Sequence, residues 1–281
     1  MSASITAVVL LAALMHAVWN ALVKSSSDRL LELTALNLAA GVSAACALPF
    51  VGFPAGESFP FLGVTVIFHC GYYAFLLHSY ARGGLSLAYP IARGASPVLV
   101  AMLSIVLVDE PLNATQWLGV LLVAASIASL AFAGGLRSMH SHAVLYSLAT
   151  SVMIAGYTIT DGSGARVSGG RPVAYILCLF VLNALPLLIV MPFLRPGAGW
   201  RGLGRHLTTG GLGGILSIGA YGLAIWAMTR APIALVSSIR ETSVVLATVI
   251  GATFLREPFG RARVLASIGV ALGIVVLRLA S

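Results

Sequence analysis

The sequence predicts an all-α integral membrane protein of about ten transmembrane helices, arranged as two inverted five-helix repeats. Composition is the first sign: of 281 residues, 9% are charged and 59% are AVILMFWYC, whereas a soluble domain carries ~25% charged residues to cover its surface. Spacing is the second, because the apolar residues come in blocks of the ~20 residues that cross a bilayer. The third is internal repetition.

In chain order the crossings are expected near 3–23, 30–51, 59–80, 85–108, 114–134, 142–161, 172–194, 207–229, 232–255 and 262–280. Turn chemistry separates them, since Gly and Pro end helices and set turns. The breaks are Ser25-Ser26-Ser27-Asp28, Gly52-Phe53-Pro54, Arg82-Gly83-Gly84, Asp109-Glu110-Pro111, Gly134-Gly135, Gly162-Ser163-Gly164, Arg195-Pro196-Gly197 and Glu257-Pro258. The N-terminal block lacks a basic leader and carries His16, Trp19 and Asn20, so it reads as the first helix rather than a cleavable signal.

The second half echoes the first. Val108-Asp109-Glu110-Pro111-Leu112 returns as Leu255-Arg256-Glu257-Pro258-Phe259, and an arginine, Arg93 or Arg240, stands seventeen positions before each glutamate. Gly71, Tyr73 and Arg82 match Gly219, Tyr221 and Arg230, each 148 apart. Met15, Trp19 and Asn20 align with Met153, Tyr157 and Thr158. The repeats divide at 1–135 and 136–281. Five crossings per repeat is odd, so the second copy enters the membrane from the opposite side. Inverted repeats are a common build of secondary transporters, with the substrate site near mid-membrane between the halves.

The formal net charge is +8, from 16 Lys+Arg against 8 Asp+Glu. The basic residues stand singly between apolar blocks without interleaved aromatics, which argues against nucleic acid and for topology signals and lipid headgroup contacts. The three cysteines, Cys46, Cys70 and Cys178, have neither metal-ligand nor disulfide-framework spacing and read as small buried hydrophobes. No metal or cofactor is expected.

The chain resembles the drug/metabolite transporter superfamily, and within it the EamA-like ten-helix exporters. The carrying residues are Glu110-Pro111 and Glu257-Pro258, Tyr89-Pro90-Ile91-Ala92-Arg93-Gly94, and the two five-helix halves. The resemblance implies a protein of the cell inner (cytoplasmic) membrane that exports amino acids or similar small metabolites by alternating access. The aromatic amino-acid exporter branch is the preferred match. A multidrug or organic cation exporter of the same fold is the alternative.

Intramembrane ionisable residues cost ~2.5–3.5 kcal/mol on insertion scales, so each is a functional candidate. Arg93 follows Tyr89 by one helical turn, and Pro90 removes a backbone donor and is expected to open the helix there. An arginine suits a carboxylate because its planar fork donates two parallel hydrogen bonds. Arg240 and Glu241 lie a turn after Ser237. On a continuous helix neighbours point ~100° apart, so one is expected to face the cavity and the other to pair across helices. A zwitterionic cargo needs both signs, with Glu241 for the amine; an Arg93–Glu241 pair joining the halves is the structural alternative.

His16, Trp19 and Asn20 share one face of the first helix, and His69 and Tyr73 belong to a stripe on the third. Tyr221 adds an aromatic wall on the eighth. Interfacial belts and helix–helix hydrogen bonds are the competing roles. Asp161 reads as a loop cap, Glu110 and Glu257 as solvated carboxylates at helix ends, and the Gly210–Gly214 run and Gly269-xxx-Gly273 as close helix contacts. Ten Lys/Arg lie in the odd-numbered connections against four in the even-numbered ones and the C-terminus. That bias puts the termini outside, whereas the resemblance puts them in the cytoplasm; the side stays open. An intramembrane enzyme is disfavoured, because no Gly-x-Ser-Gly, paired-Asp or His-Glu-x-x-His arrangement occurs. A channel would need an oligomeric pore or a ring of charge, whereas ten helices enclose a cavity as a monomer.

Overall fold

The computed structural model describes residues 1–132, 141–194, 202–254 and 260–280. Its helices are α1 (Ala3–Ser25), α2 (Arg29–Val51), α3 (Phe59–Leu107), α4 (Ala114–Phe132), α5 (Ser141–Arg166), α6 (Pro172–Leu194), α7 (Leu203–Met228), α8 (Ile233–Arg240), α9 (Thr242–Phe254) and α10 (Arg261–Leu279), with a 3₁₀ turn at Gly56–Ser58. Among the described residues, ten segments are long and apolar enough to cross a bilayer. Two of them, Gly56–Arg82 and Leu87–Leu107, share α3, and the ninth, Ile233–Gly251, is divided between α8 and α9. Large apolar side chains such as Phe50, Ile67, Val106, Ile215 and Leu265 point outward, as a lipid solvent requires.

Three local expectations change. Helical backbone runs through Arg82-Gly83-Gly84, yet the chain reverses there. Ser79 Oγ meets Ser147 Oγ of α5 at 2.6 Å, Ser151 Oγ donates to Ala92 O at 3.0 Å, and Gly71 lies against Met153. A straight helix would separate residues 71 and 92 by about 30 Å; both lie at the level of residues 151–153, so α3 is a helical hairpin. Gly162-Ser163-Gly164 is not a loop either. It is the last part of α5, and its glycines serve packing: a Cβ at Gly162 would lie 2.7 Å from Ile233 Cδ1, and one at Gly164 would lie 2.5 Å from Tyr175 Cε2. Of the cysteines only Cys178 is buried; Cys46 and Cys70 face outward.

Helices find their main partners in the opposite half. α1 packs on α7 and α9, α5 packs on both arms of α3, α2 meets α6, and α4 meets α10. Inverted pseudosymmetry predicts this pattern. The first crossing against the eighth is the counterpart of the sixth against the third, while second–seventh and fifth–tenth are self-counterparts. Single residues repeat it: Gly71 faces Met153 of α5, and its counterpart Gly219 faces Met15 of α1. Gly210, Gly213 and Gly214 of α7 close on Ala35, Leu36 and Ala40 of α2, and Gly269 and Gly273 of α10 close on α4, the small-residue contacts expected of helices in lipid.

Both termini lie on one face. Arg278 Nη1 donates to Met1 O, and Gln116 Nε2 donates to Ala280 O at 3.3 Å. Glu110 reaches across the halves on that same face. It accepts from Arg166 Nη2 at 2.6 Å and from the Ile233 N–H at 2.8 Å, while Arg166 also donates to Met228 O and Ala231 O. Glu110 is therefore a half-buried cap for α8 rather than a freely solvated carboxylate. Glu257 lies outside the described residues. At the opposite face His206 Nδ1 meets Glu32 Oε2 at 2.6 Å, a second tie between halves.

Candidate functional site

The ninth crossing breaks one residue after its arginine. α8 ends at Arg240, Glu241 forms a turn, and α9 starts at Thr242. The two neighbours divide as expected, Glu241 pairing across helices with Arg93 of α3 and Arg240 standing beside the Tyr221 ring. Arg93 Nε lies 3.0 Å from Glu241 Oε2, and Arg240 Nη2 lies 3.9 Å from Glu241 Oε1. Arg93 Nη2 adds a bond to Ser243 Oγ at 3.3 Å. All three ionisable groups are buried.

The break is not where proline suggested it. α3 continues through Pro90 and Pro97. Pro97 removes the donor that would reach the Arg93 carbonyl four residues back, and Ser96 Oγ donates to that carbonyl instead, at 3.2 Å.

The guanidinium groups are unequally satisfied. Arg93 has Glu241 and Ser243, and its Cζ stands 5.9 Å from the Tyr89 ring centre. Arg240 has its long contact to Glu241 and lies 5.4 Å from the Tyr221 ring centre. Its Nε and Nη2 are buried without a hydrogen-bond partner, as are Ser237 Oγ, Thr158 Oγ1 and Trp19 Nε1; Arg93 Nε and both Glu241 carboxylate oxygens also lack hydrogen bonds and meet only through the ion pair. Native proteins rarely leave such donors unpaired.

Aromatic rings surround this centre. Tyr157 of α5 stacks on His69 of α3 at 4.4 Å, and meets Tyr221 edge-on at 5.9 Å and Tyr72 edge-on at 6.0 Å. Behind them Asp161 of α5 is wholly buried. It accepts from Tyr221 OH at 2.6 Å and from Tyr175 OH at 3.0 Å, so it is an interior carboxylate and not a loop cap.

Of the expected site residues, the structure draws Tyr89, Arg93, His69, Tyr221, Arg240 and Glu241 into one connected cluster, with Ser237 one turn before Arg240. His16 of α1 stands edge-on to Trp19 at 4.9 Å. Tyr73 sits at the margin and touches Tyr72. The Asn20 amide is turned onto its own helix and donates to His16 O at 2.7 Å.

Sequence reasoning missed Tyr157 and Asp161 as members of the cluster. The signal was present in the repeat: Tyr157 is the counterpart of Trp19, and Asp161 follows it by one helical turn.

The model of the EamA-like transporter family matches residues 3–132 and 141–279. A solved crystal structure superposes with a TM-score of 0.77 at 20% sequence identity, covering 99% of this chain and 98% of the other, which establishes a shared fold. No curated protein matches the sequence.

Proposed function

The chain belongs to the EamA-like transporter family, and we propose that it exports neutral amino acids, aromatic ones included, by alternating access around Arg240. It is a secondary membrane transporter with a small-molecule substrate, not an enzyme. The observation that carries the substrate reading is the Arg240 guanidinium, buried with two nitrogens lacking hydrogen-bond partners and edged by the Tyr221 ring. Such a group suits a carboxylate, because two parallel charge-assisted bonds replace the missing partners. The rings of Tyr157, Tyr221, Tyr72 and His69 supply the apolar wall that an amino-acid side chain needs.

In this reading Glu241 takes the second of the two roles expected for it, the pair with Arg93 that joins the halves. It neutralises Arg93 and approaches Arg240, so it positions the arginines rather than receiving the cargo's amine. Ser237, Trp19 and Thr158 offer further hydrogen bonds to the cargo. His16, Tyr89, Tyr73 and Asn20 complete the lining. The halves 1–135 and 136–281 act as the two moving units, a monomer suffices, and the cytoplasmic membrane is the expected location.

Uptake of a panel of labelled amino acids into proteoliposomes, with and without a pH gradient, tests this reading. Saturable flux of neutral amino acids is expected, with aromatic members competing. Absence of saturable flux for every member of the panel would refute it.

A further inference from the structure

Asp161 is the buried charge that the carboxylate-binding scheme leaves unused. The carboxylate has no exposed surface and two phenol donors, Tyr221 and Tyr175. Among the described residues no basic side chain forms an ion pair with it. The groups that face it from the packed helices are the Thr65 hydroxyl of α3, Tyr175 of α6, Tyr221 of α7, and Arg240 of α8, which acts from beyond ion-pair distance. Thr65 is also bonded to His69 Nδ1 at 3.1 Å. Arg93, the other central cation, is held by Glu241.

A carboxylate so enclosed is expensive to keep ionised without a cation, and phenol donors offset only part of that cost. The surroundings favour a small cation. Tyr157 stands perpendicular to Tyr221 (89°) and to Tyr72 (86°), and aromatic rings of this kind attract cations through their faces. Tyr221 makes this subsite a neighbour of the carboxylate subsite, since its ring edges Arg240 while its hydroxyl holds Asp161.

We propose that Asp161 is an exchange site at which the cargo's ammonium group and a proton compete, so that export is coupled to proton entry. The inference rests on the amino-acid reading above. On one side of the membrane the Asp161 carboxylic acid releases its proton to water as the cargo's R–NH₃⁺ takes its place. On the other side the cargo leaves and a proton from water returns to the carboxylate. One proton moves inward for each zwitterion moved outward, and no covalent bond to the cargo forms or breaks.

The test uses proteoliposomes of the full chain loaded with labelled phenylalanine, or with 3-phenylpropanoate, which keeps the ring and carboxylate but lacks the amine. An acidic bath should speed phenylalanine efflux several-fold and leave 3-phenylpropanoate efflux unchanged. Asp161→Asn should remove the gradient's effect and weaken phenylalanine binding roughly tenfold or more, with 3-phenylpropanoate binding retained. Asp161→Glu and Tyr221→Phe keep the carboxylate, so both should retain coupling with a shifted pH midpoint; this arm stands even if Asp161→Asn fails to fold. Saturable phenylalanine flux indifferent to the gradient, gradient-driven flux that survives Asp161→Asn, or an unshifted midpoint in both conservative variants would overturn the exchange site while leaving the carrier reading intact. No saturable flux of any labelled amino acid would overturn both.

Discussion

At the scale of single residues, function concentrates where charge is buried without full compensation. Arg240 is the sharpest case, because its charge is shared with Glu241 only at 3.9 Å while two of its nitrogens await partners. Arg240→Lys keeps the charge and loses the planar fork. It should weaken carboxylate cargo about tenfold or more, read as a rise in Kd on purified protein; an unchanged Kd would remove Arg240 from the site. Glu241→Gln leaves Arg93 and Arg240 buried without their counter-ion. Breaking a buried pair in this way costs on the order of 3–5 kcal/mol, so the variant should show a clearly lower Tm in detergent, and an unaltered Tm would contradict the pairing. Arg93, Arg240 and Glu241 were legible from the sequence, since any ionisable residue inside an apolar block stands out. Asp161 was not, because glycines at 162 and 164 imitate a loop. Only the packed structure reveals that they make room for Ile233 and Tyr175.

Helices were legible where hydropathy alone defines them, and less so where backbone geometry departs from a straight rod. The ten apolar blocks correspond to the ten spans. The break at Glu241 had no sequence mark, whereas Pro90, the marked position, stays helical. A proline inside a membrane helix leaves a carbonyl that a neighbouring hydroxyl can satisfy, as Ser96 does for Pro97. The glycine contacts make a prediction at this scale. A Cβ at Gly214 would lie 2.8 Å from both Ala40 N and Leu36 O, backbone atoms that cannot rotate away, whereas Gly211 has open space. Gly214→Ala should destabilise by roughly 1–3 kcal/mol, and Gly211→Ala should be neutral or slightly stabilising, since alanine suits a helix better than glycine. Thermal unfolding of the two variants in detergent checks the contrast, and equal Tm values would contradict it.

For the molecule as a whole, the two halves are interleaved rather than set side by side. Polar contacts tie them at both membrane faces, the Glu110–Arg166 ion pair on the terminal face and the contact of His206 Nδ1 with Glu32 Oε2 on the other. Both termini share a face, so cysteines placed at Ser2 and Ser281 should react with an impermeant reagent from the same side of intact cells; labelling from opposite sides would contradict the ten-crossing topology. All four basic residues expected on that face bond to the protein itself, Arg166 to Glu110 and backbone carbonyls, Arg171 to Phe53 O, Arg230 to Thr229 Oγ1 and Arg278 to Met1 O. Their positions are thus explained by packing as well as by topology. The repeat that implied this architecture was legible because Met15, Gly71 and their counterparts Met153 and Gly219 kept the same contacts in both copies.

Alternating access makes one demand above all: the centre must open to each side in turn. Ser237 lies in the broken crossing with its hydroxyl buried and unpartnered. With Cys46, Cys70 and Cys178 replaced, Ser237→Cys in oriented proteoliposomes can be challenged with an impermeant thiol reagent from either side. Labelling from both sides, slowed by saturating amino acid, is the predicted result. Labelling from one side alone, or from neither, would contradict a central site that serves both.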